Sequence, residues 1–393
     1  MPPLAIYVQV PFCASKCSFC NFSSRVAPRS IFDLYSDALE QEMDGLPAAF
    51  AAYGLAGEVL ALPVDTVYFG GGTPPLLGVE RLKRIVRALH ARFRLQAGSE
   101  FTIEVTPGSA DAQFLIEAMR MGMNRLSIGA QTFADQELRA VGRLHSAADT
   151  RELVRRARGA GFENISIDLV AGLPHQNVES WKHNLGAALQ LLPQHISIYL
   201  FEIDEKSRLG REVLQGGTRY SAPAVPGEDF MADAYEMGRE VLRSEGYIQY
   251  EISNFARAGY ESRHNLKYWQ LAPYVGLGAG AHSLDGLNRW ANEDDAKLYI
   301  NRLGAKRSPI AGIRKLSSEE RLEEFFFLGL RQAEGVSLAL ASRRWGKDRL
   351  SRWQGKIETL THDGLLTMAG DNIRLAETAY LVSNEVFREF VGA

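Results

Sequence analysis

The chain has 393 residues, 46% hydrophobic and 23% charged, and a formal net charge of −3. That length buries one large core and a smaller one, and the near-neutral balance supplies no overall field for nucleic acid and no basic block for anionic lipid. No apolar run is long enough to span a bilayer and no signal-peptide pattern opens the chain, which predicts a cytoplasmic protein.

The first strand-like run, AIYVQVPF (5–12), leads into CASKCSFC, which holds all three cysteines of the chain, Cys13, Cys17 and Cys20. Thiolates spaced C-x3-C-x2-C can wrap one [4Fe–4S] cube while leaving one iron without a protein ligand, and an open metal position is where a substrate or cosubstrate binds. A structural zinc site wants four ligands, and the earliest histidine is His90. A disulfide would leave one cysteine over. The stretch therefore reads as a cluster site built for chemistry.

Five further strand-like runs follow: VDTVYFGGG (64–72), EFTIEVTP (100–107), RLSIGAQT (125–132), NISIDLVAGLP (164–174) and HISIYLFEID (195–204). Helical patterns lie between them at 79–93, 112–122, 149–161 and 178–192. Strand then helix, repeated, predicts parallel strands with right-handed crossovers, and six units are too few for a closed eight-stranded barrel. The expectation is an α/β fold, an open partial (β/α)6 barrel whose free sheet edge leaves room for a large substrate. Such a barrel concentrates chemistry at the carboxyl ends of its strands. There the sequence places Gly70, Gly71, Gly72, Thr73, Glu104, Thr106, Gln131, Asp168, Glu202 and Asp204. A glycine triplet after a strand lets backbone approach a ligand without Cβ interference.

Beyond residue 226 the pattern changes to an amphipathic helix (228–246), then YIQYEISNFA, the hexapeptide HNLKYW (264–269) and the glycine-rich YVGLGAGAHS (274–283), all expected on the barrel's open side. From about residue 316 two helices, an alternating hairpin GLLTMAGDNIRL and a last helix predict a winged-helix-like α+β module. Its span 316–393 holds 10 basic against 12 acidic residues, the wrong sign for phosphate, so a lid or partner surface is the better reading than DNA binding. Three domains are expected: 1–225 for the barrel with its cluster loop, 226–310 for the extension carrying HNLKYW, and 311–393 for the module.

CASKCSFC after AIYVQVPF, with GGGTP downstream, resembles the radical S-adenosylmethionine (SAM) superfamily, in particular the branch of oxygen-independent coproporphyrinogen III dehydrogenase (HemN) and the heme chaperone HemW. The resemblance covers nearly the whole chain. It implies a partial barrel, a [4Fe–4S] cluster, and SAM chelated to the unique iron. It also implies SAM contacts at Tyr7, Phe19, Gly71, Gly72, Thr73, Glu104, Gln131, Arg143 and Asp168. For Glu104 and Asp168 the plainer reading is a partner for an inward lysine or arginine, and for Arg143 a solvated helix-end charge.

Two functions compete: oxidative decarboxylation of coproporphyrinogen III in porphyrin biosynthesis, and heme carriage without that activity. The dehydrogenase pattern has a further cysteine where this chain has Phe22, and an N-terminal extension where this chain begins six residues before Tyr7. HNLKYW resembles the HNxxYW signature of the chaperone branch. An imidazole can ligate heme iron and aromatic faces suit a porphyrin, so His264, Asn265, Tyr268 and Trp269 are heme candidates. From chemistry alone the loop could equally pack its aromatics on the barrel. His282 is a second candidate ligand, while His145 and His175 read as neighbours of SAM or loop caps. The favoured reading is a heme chaperone. Its implied partners are heme, a heme donor, heme-accepting proteins including respiratory and membrane-bound ones, an electron donor for the cluster, and a second copy of the chain in a homodimer.

Overall fold

The computed structural model describes residues 1–392. Six strand–helix units open the chain: β1 (Leu4–Val10) and α1 (Ile31–Tyr53), β2 (Pro63–Gly71) and α2 (Val79–Arg92), β3 (Arg94–Val105) and α3 (Ala112–Arg120), then β4 (Arg125–Gln131) with α4 (Asp135–Ala140) and α5 (Ala147–Ala160), β5 (Asn164–Ala171) and α6 (Val178–Gln190), and β6 (His195–Leu200) with α7 (Arg208–Leu214). Strands β1 to β6 pair in chain order and all parallel, as the expected partial (β/α)6 barrel requires. Helices start where the sequence supplies caps. Ser146 with Asp149 opens α5 and Asn177 with Ser180 opens α6, each a reciprocal capping box.

Alternation along the strands decides where the core sits, because successive side chains point to opposite faces. Ile6, Val8, Val67, Phe69, Ile103, Ile128, Ile167 and Ile198 are buried in one hydrophobic cluster with helix residues such as Leu39, Leu82, Leu115, Leu153 and Leu185. The residues between them are polar and form rows across the sheet: Tyr7 opposite Tyr68, Glu104 opposite Ser127, Ser127 opposite Ser166, and Asp168 opposite Ser197. The barrel is therefore lined inside with polar groups instead of being filled by branched aliphatics.

Past α7 come α8 (Glu228–Ser244), β7 (Ile248–Glu251), β8 (Asn254–Ala256), α9 (Arg263–Trp269), β9 (Tyr274–Leu277), β10 (His282–Leu284), β11 (Asn288–Asn292), α10 (Ala296–Gly304) and β12 (Ile310–Lys315). These correct the expectation of a free edge. The sheet has twelve strands in the order β12-β11-β10-β9-β1-β2-β3-β4-β5-β6-β8-β7, so β9 covers the β1 edge and the β7–β8 hairpin covers the β6 edge. The helix α9, which carries HNLKYW, lies at the amino ends of the first strands. Its Lys267 Nζ donates to Pro3 O at 2.6 Å and pairs with Asp65 at 2.6 Å.

The remaining elements are α11 (Ser318–Gly329), β13 (Val336–Ser337), α12 (Leu338–Trp345), α13 (Lys347–Leu350), α14 (Gln354–His362), β14 (Leu366–Ala369), β15 (Asn372–Leu375) and α15 (Ser383–Arg388). Strands β14 and β15 form the expected hairpin, and β13 adds to it. Phe326, Trp353, Ile373 and Phe390 are buried among these helices. The module docks on the barrel extension through Ile252 N to Arg331 O at 3.2 Å and Ala333 N to Tyr250 O at 3.0 Å.

Candidate cluster and cofactor site

The cysteine loop leaves β1 at the carboxyl end of the barrel and is shaped by backbone bonds on both sides. Cys13 N donates to Arg25 O at 3.0 Å, Arg25 N to Pro11 O at 2.8 Å, and Ser18 N to Val141 O at 3.0 Å. Lys16 Nζ ties the loop's far limb by donating to Phe22 O at 2.9 Å and Ser24 O at 3.0 Å. Cys13, Cys17 and Cys20 all line one cavity of about 730 Å³. Burial pushes the Cys13 thiol up, and hydrogen bonds with Ser24 and Thr73 pull it back. Among the described residues no three His, Cys, Asp or Glu side chains converge on one metal-ion position. A cube takes one thiolate per iron, so three separated thiols on one rim, with no fourth, fit a [4Fe–4S] cluster with an open corner.

The glycine turn also serves the chain's own backbone. Gly72 N donates to Val10 O at 2.8 Å and Thr73 N to Phe12 O at 2.7 Å, stitching the end of β2 to the root of the cysteine loop. A Cβ on Gly72 would stand 2.5 Å from Phe12 O and 2.8 Å from Val10 O. Gly71 adopts φ +105°, and a Cβ there would meet the Gln9 amide at 2.5 Å. The close approach that demands glycine is to the chain's own backbone and to Gln9, while Gly71, Gly72 and Thr73 still face the cavity. Glu104 locks the same turn from β3: it accepts from Gly71 N at 2.9 Å and from Tyr68 OH at 2.9 Å. Burial holds its carboxyl up at about 7.

Of the sequence-derived SAM candidates, Phe19, Gly71, Gly72, Thr73, Glu104, Gln131, Arg143 and Asp168 share the cavity wall with the cysteines. Gln131 ends β4 with φ +68°, in the left-handed region uncommon for a residue other than glycine, and lines the cavity. Arg143 is no solvated helix-end charge, since its guanidinium donates to Gly129 O and, at 3.6 Å, to Cys17 Sγ. Asp168 is held by Ser197 Oγ at 2.8 Å and Ser127 Oγ at 3.3 Å, so its hydrogen-bond partners are hydroxyls, while Arg125 acts on it through space. Tyr7 stands behind this wall, stacked on Tyr68 and donating to Gln9 at 2.7 Å. Glu202 lies at the cavity, but β6 ends before it at Leu200, and Asp204 instead accepts from Lys206 N, Ser207 N and Asn21 Nδ2. Sequence reasoning missed Tyr68, Arg125, Ser127, His195 and Ser197, which also line the chamber. Their signal was the period-2 alternation itself, RLSIG in β4 and HISIY in β6.

The histidines sort by burial. His264 is 1% exposed on α9, with Nδ1 3.0 Å from Thr66 Oγ1 and Nε2 2.9 Å from Tyr268 OH. Burial lowers its pKa to about 3. Both nitrogens are engaged, which leaves none free for iron in this conformation. Tyr268 packs edge-on against Tyr274, and Arg331 covers the Trp269 ring at 4.5 Å. Among HNLKYW only Asn265 lines the cavity. His145 sits 3.3 Å from Ala130 O, its pKa lowered to about 4 by burial and then by Arg143, so it stays neutral beside the cavity wall. His175 and His282 are exposed.

Residues 7–186 match the model of the radical SAM superfamily and residues 316–382 that of the HemN C-terminal domain. The heme chaperone HemW of Bacillus subtilis is 35% identical over 98% of this chain and 98% of its own. The chain belongs to the HemW family. A second HemW, from Escherichia coli, is 34% identical over 72% of this chain and 70% of its own. Among solved structures, the radical SAM enzyme coproporphyrinogen III oxidase (HemN) of Escherichia coli superposes with a TM-score of 0.86, covering 99% of this chain and 90% of that one. At 23% identity that likeness establishes the shared fold: a radical SAM barrel with a HemN-type C-terminal domain. No helix among the described residues is long and apolar enough to cross a membrane.

Proposed function

We propose that this chain is a heme chaperone that holds a [4Fe–4S] cluster on Cys13, Cys17 and Cys20, binds SAM across the strand ends, binds heme, and passes it to acceptor hemoproteins. The observation that carries the cofactor reading is the single cavity on which the three thiols, the glycine turn, Glu104, Gln131, Arg143 and Asp168 converge. The cargo reading rests on the names of the relatives, which span nearly the whole chain. When bound, the cluster supplies an electron and an open iron for the methionyl group of SAM. The protein's part is to orient. Glu104 and Asp168 offer acceptors to the ammonium and ribose hydroxyls of SAM, Gln131 and Arg143 offer donors, and Phe19 packs against the apolar pocket of Val170 and Phe201 beside the adenine.

Phe22 favours carriage over decarboxylation. It stands where the dehydrogenase pattern has a further thiol, and it is 67% exposed at the cavity mouth. Of the HNLKYW residues, Asn265 is the proposed heme contact; His264 is proposed to hold the barrel floor. The partners proposed beyond heme and its acceptors are a heme donor and an electron donor for the cluster, acting in the cytoplasm. The test is anaerobic reconstitution followed by titration with heme and by assay with coproporphyrinogen III, SAM and reductant. About four irons per chain, a saturable Soret band and no decarboxylation are expected. Conversion of coproporphyrinogen III to protoporphyrinogen would overturn the chaperone reading, and zinc without acid-labile sulfide would overturn the cluster.

A further inference from the structure

At the deep end of the cavity, opposite the cysteines, Arg125 begins β4 and is 1% exposed. Most of the polar groups around it have partners, although Thr102 Oγ1, across the β3–β4 ladder from Arg125, is also buried without one. Glu100 accepts the backbone N–H groups of Arg263 and His264, both at 3.0 Å, and Asp168 is held by its two serines. His195 lies 2.7 Å from Ser166 Oγ and 2.9 Å from Tyr250 OH. Arg125 is a buried charge that makes no side-chain hydrogen bond: its Nε is sealed from solvent with no acceptor, and only through-space attraction to Glu100, Asp168 and the tyrosines Tyr68 and Tyr250 raises its pKa against burial. A buried guanidinium that makes no hydrogen bond of its own calls for an explanation, and Arg125 lines the wall of the chamber.

We propose that the floor of the chamber is a carboxylate-binding subsite in which Arg125 makes the paired hydrogen bonds. The guanidinium fork matches the two oxygens of a carboxylate in plane. Glu100 and Asp168, flanking it, set the charge limit. They oppose a doubly charged phosphate or sulfate and cancel the attraction for a simple halide, so binding rests on the geometry of two N–H bonds to a singly charged, planar anion. That carboxylate comes from a porphyrin propionate or from a free small acid.

The probe is 4-bromobenzoate. Crystals of the cluster-loaded protein soaked with it should show a bromine anomalous peak in the chamber with the carboxylate on Arg125, and 4-bromobenzamide should show none. In solution, Arg125→Gln and Arg125→Lys should each weaken 4-bromobenzoate at least tenfold while cluster absorbance is retained. Displacement of the probe by heme but not by heme dimethyl ester assigns the site to a propionate, and displacement by neither assigns it to a free acid. Equal affinity in wild type and both variants, equal binding of the amide, or bromine anywhere but on this floor would overturn the proposal. The wild-type map decides even if a variant fails to fold.

Discussion

Gly72 and Glu104 meet at the end of β2 yet answer to different physics, and substitution separates them. A methyl group on Gly72 would press on Phe12 O at 2.5 Å, and Phe12 is the residue before Cys13, so the strain falls on the loop that presents the thiols. Gly72→Ala should therefore lower the iron bound per chain after reconstitution to less than about half of wild type, well before any specific effect on SAM. Glu104 touches no cysteine, and Glu104→Ala should keep the iron and weaken SAM about tenfold or more in equilibrium dialysis. Its carboxyl, held at about 7, adds a pH signature. Only the ionised form attracts the cationic ligand, so SAM affinity should rise as pH climbs from about 6 to 8, and Glu104→Gln should flatten that rise. A slope that survives in the Gln variant would move the titrating group elsewhere.

The elements that the sequence made legible are those whose partners are close in the chain. Strands β1 to β6 alternate apolar and polar residues and pair with the next strand along, so a period of two locates both the strands and their inward face. The later strands β7 to β12 are short, and although most pair with a sequence neighbour, two of them close the barrel edges from far away: β8 joins β6, and β9 joins β1, whose partner residues Ala5 and Tyr274 lie at opposite ends of the barrel sequence. Nothing local records that. Helix α1 was not among the helical patterns read from the sequence, although Phe32, Leu39, Met43, Leu46 and Phe50 keep a buried helical face through Pro47. The same limit hid the role of HNLKYW, for its histidine is defined by Thr66 and by Glu100, which accepts its backbone N–H, far upstream. As a floor residue, His264 should behave structurally. His264→Ala leaves Thr66 and Tyr268 without a partner and should cost about 2 kcal/mol of stability in chemical denaturation. The Soret position of bound heme should not change; a shifted or lost Soret band at full folding would restore it as an iron ligand.

At the scale of the whole molecule the C-terminal module meets the barrel at several places, among them Arg289 with Glu324 and Arg239 and Arg243 with Glu377, and one of these contacts centres on a buried acid. Glu251 has a fully buried side chain, accepts from Ser253 N at 2.9 Å and from Asn254 Nδ2, and meets Arg331 of the module at 3.4 Å. Burial raises its pKa, and Arg331 is the largest opposing influence. The same guanidinium covers Trp269 on α9, so one side chain ties the module to both the β7–β8 hairpin and the barrel floor. Arg331→Met keeps much of the packing against Trp269 but removes the only cation paired with Glu251 among the described residues. Breaking one partner of a buried pair costs about 3 kcal/mol when the remaining charge stays ionised. The sign with pH follows from the raised pKa: the folded chain holds the proton that the unfolded chain releases, so the penalty is absent at low pH and grows as pH rises through the folded value. Losing Arg331 raises that value further. The variant should therefore lie close to wild type in denaturation at about pH 5 and fall furthest behind at about pH 8, with hydrogen exchange in β7 and α9 rising in parallel. A deficit of the same size at both pH values would mean that packing on Trp269, and not the Glu251 charge, accounts for what Arg331 contributes.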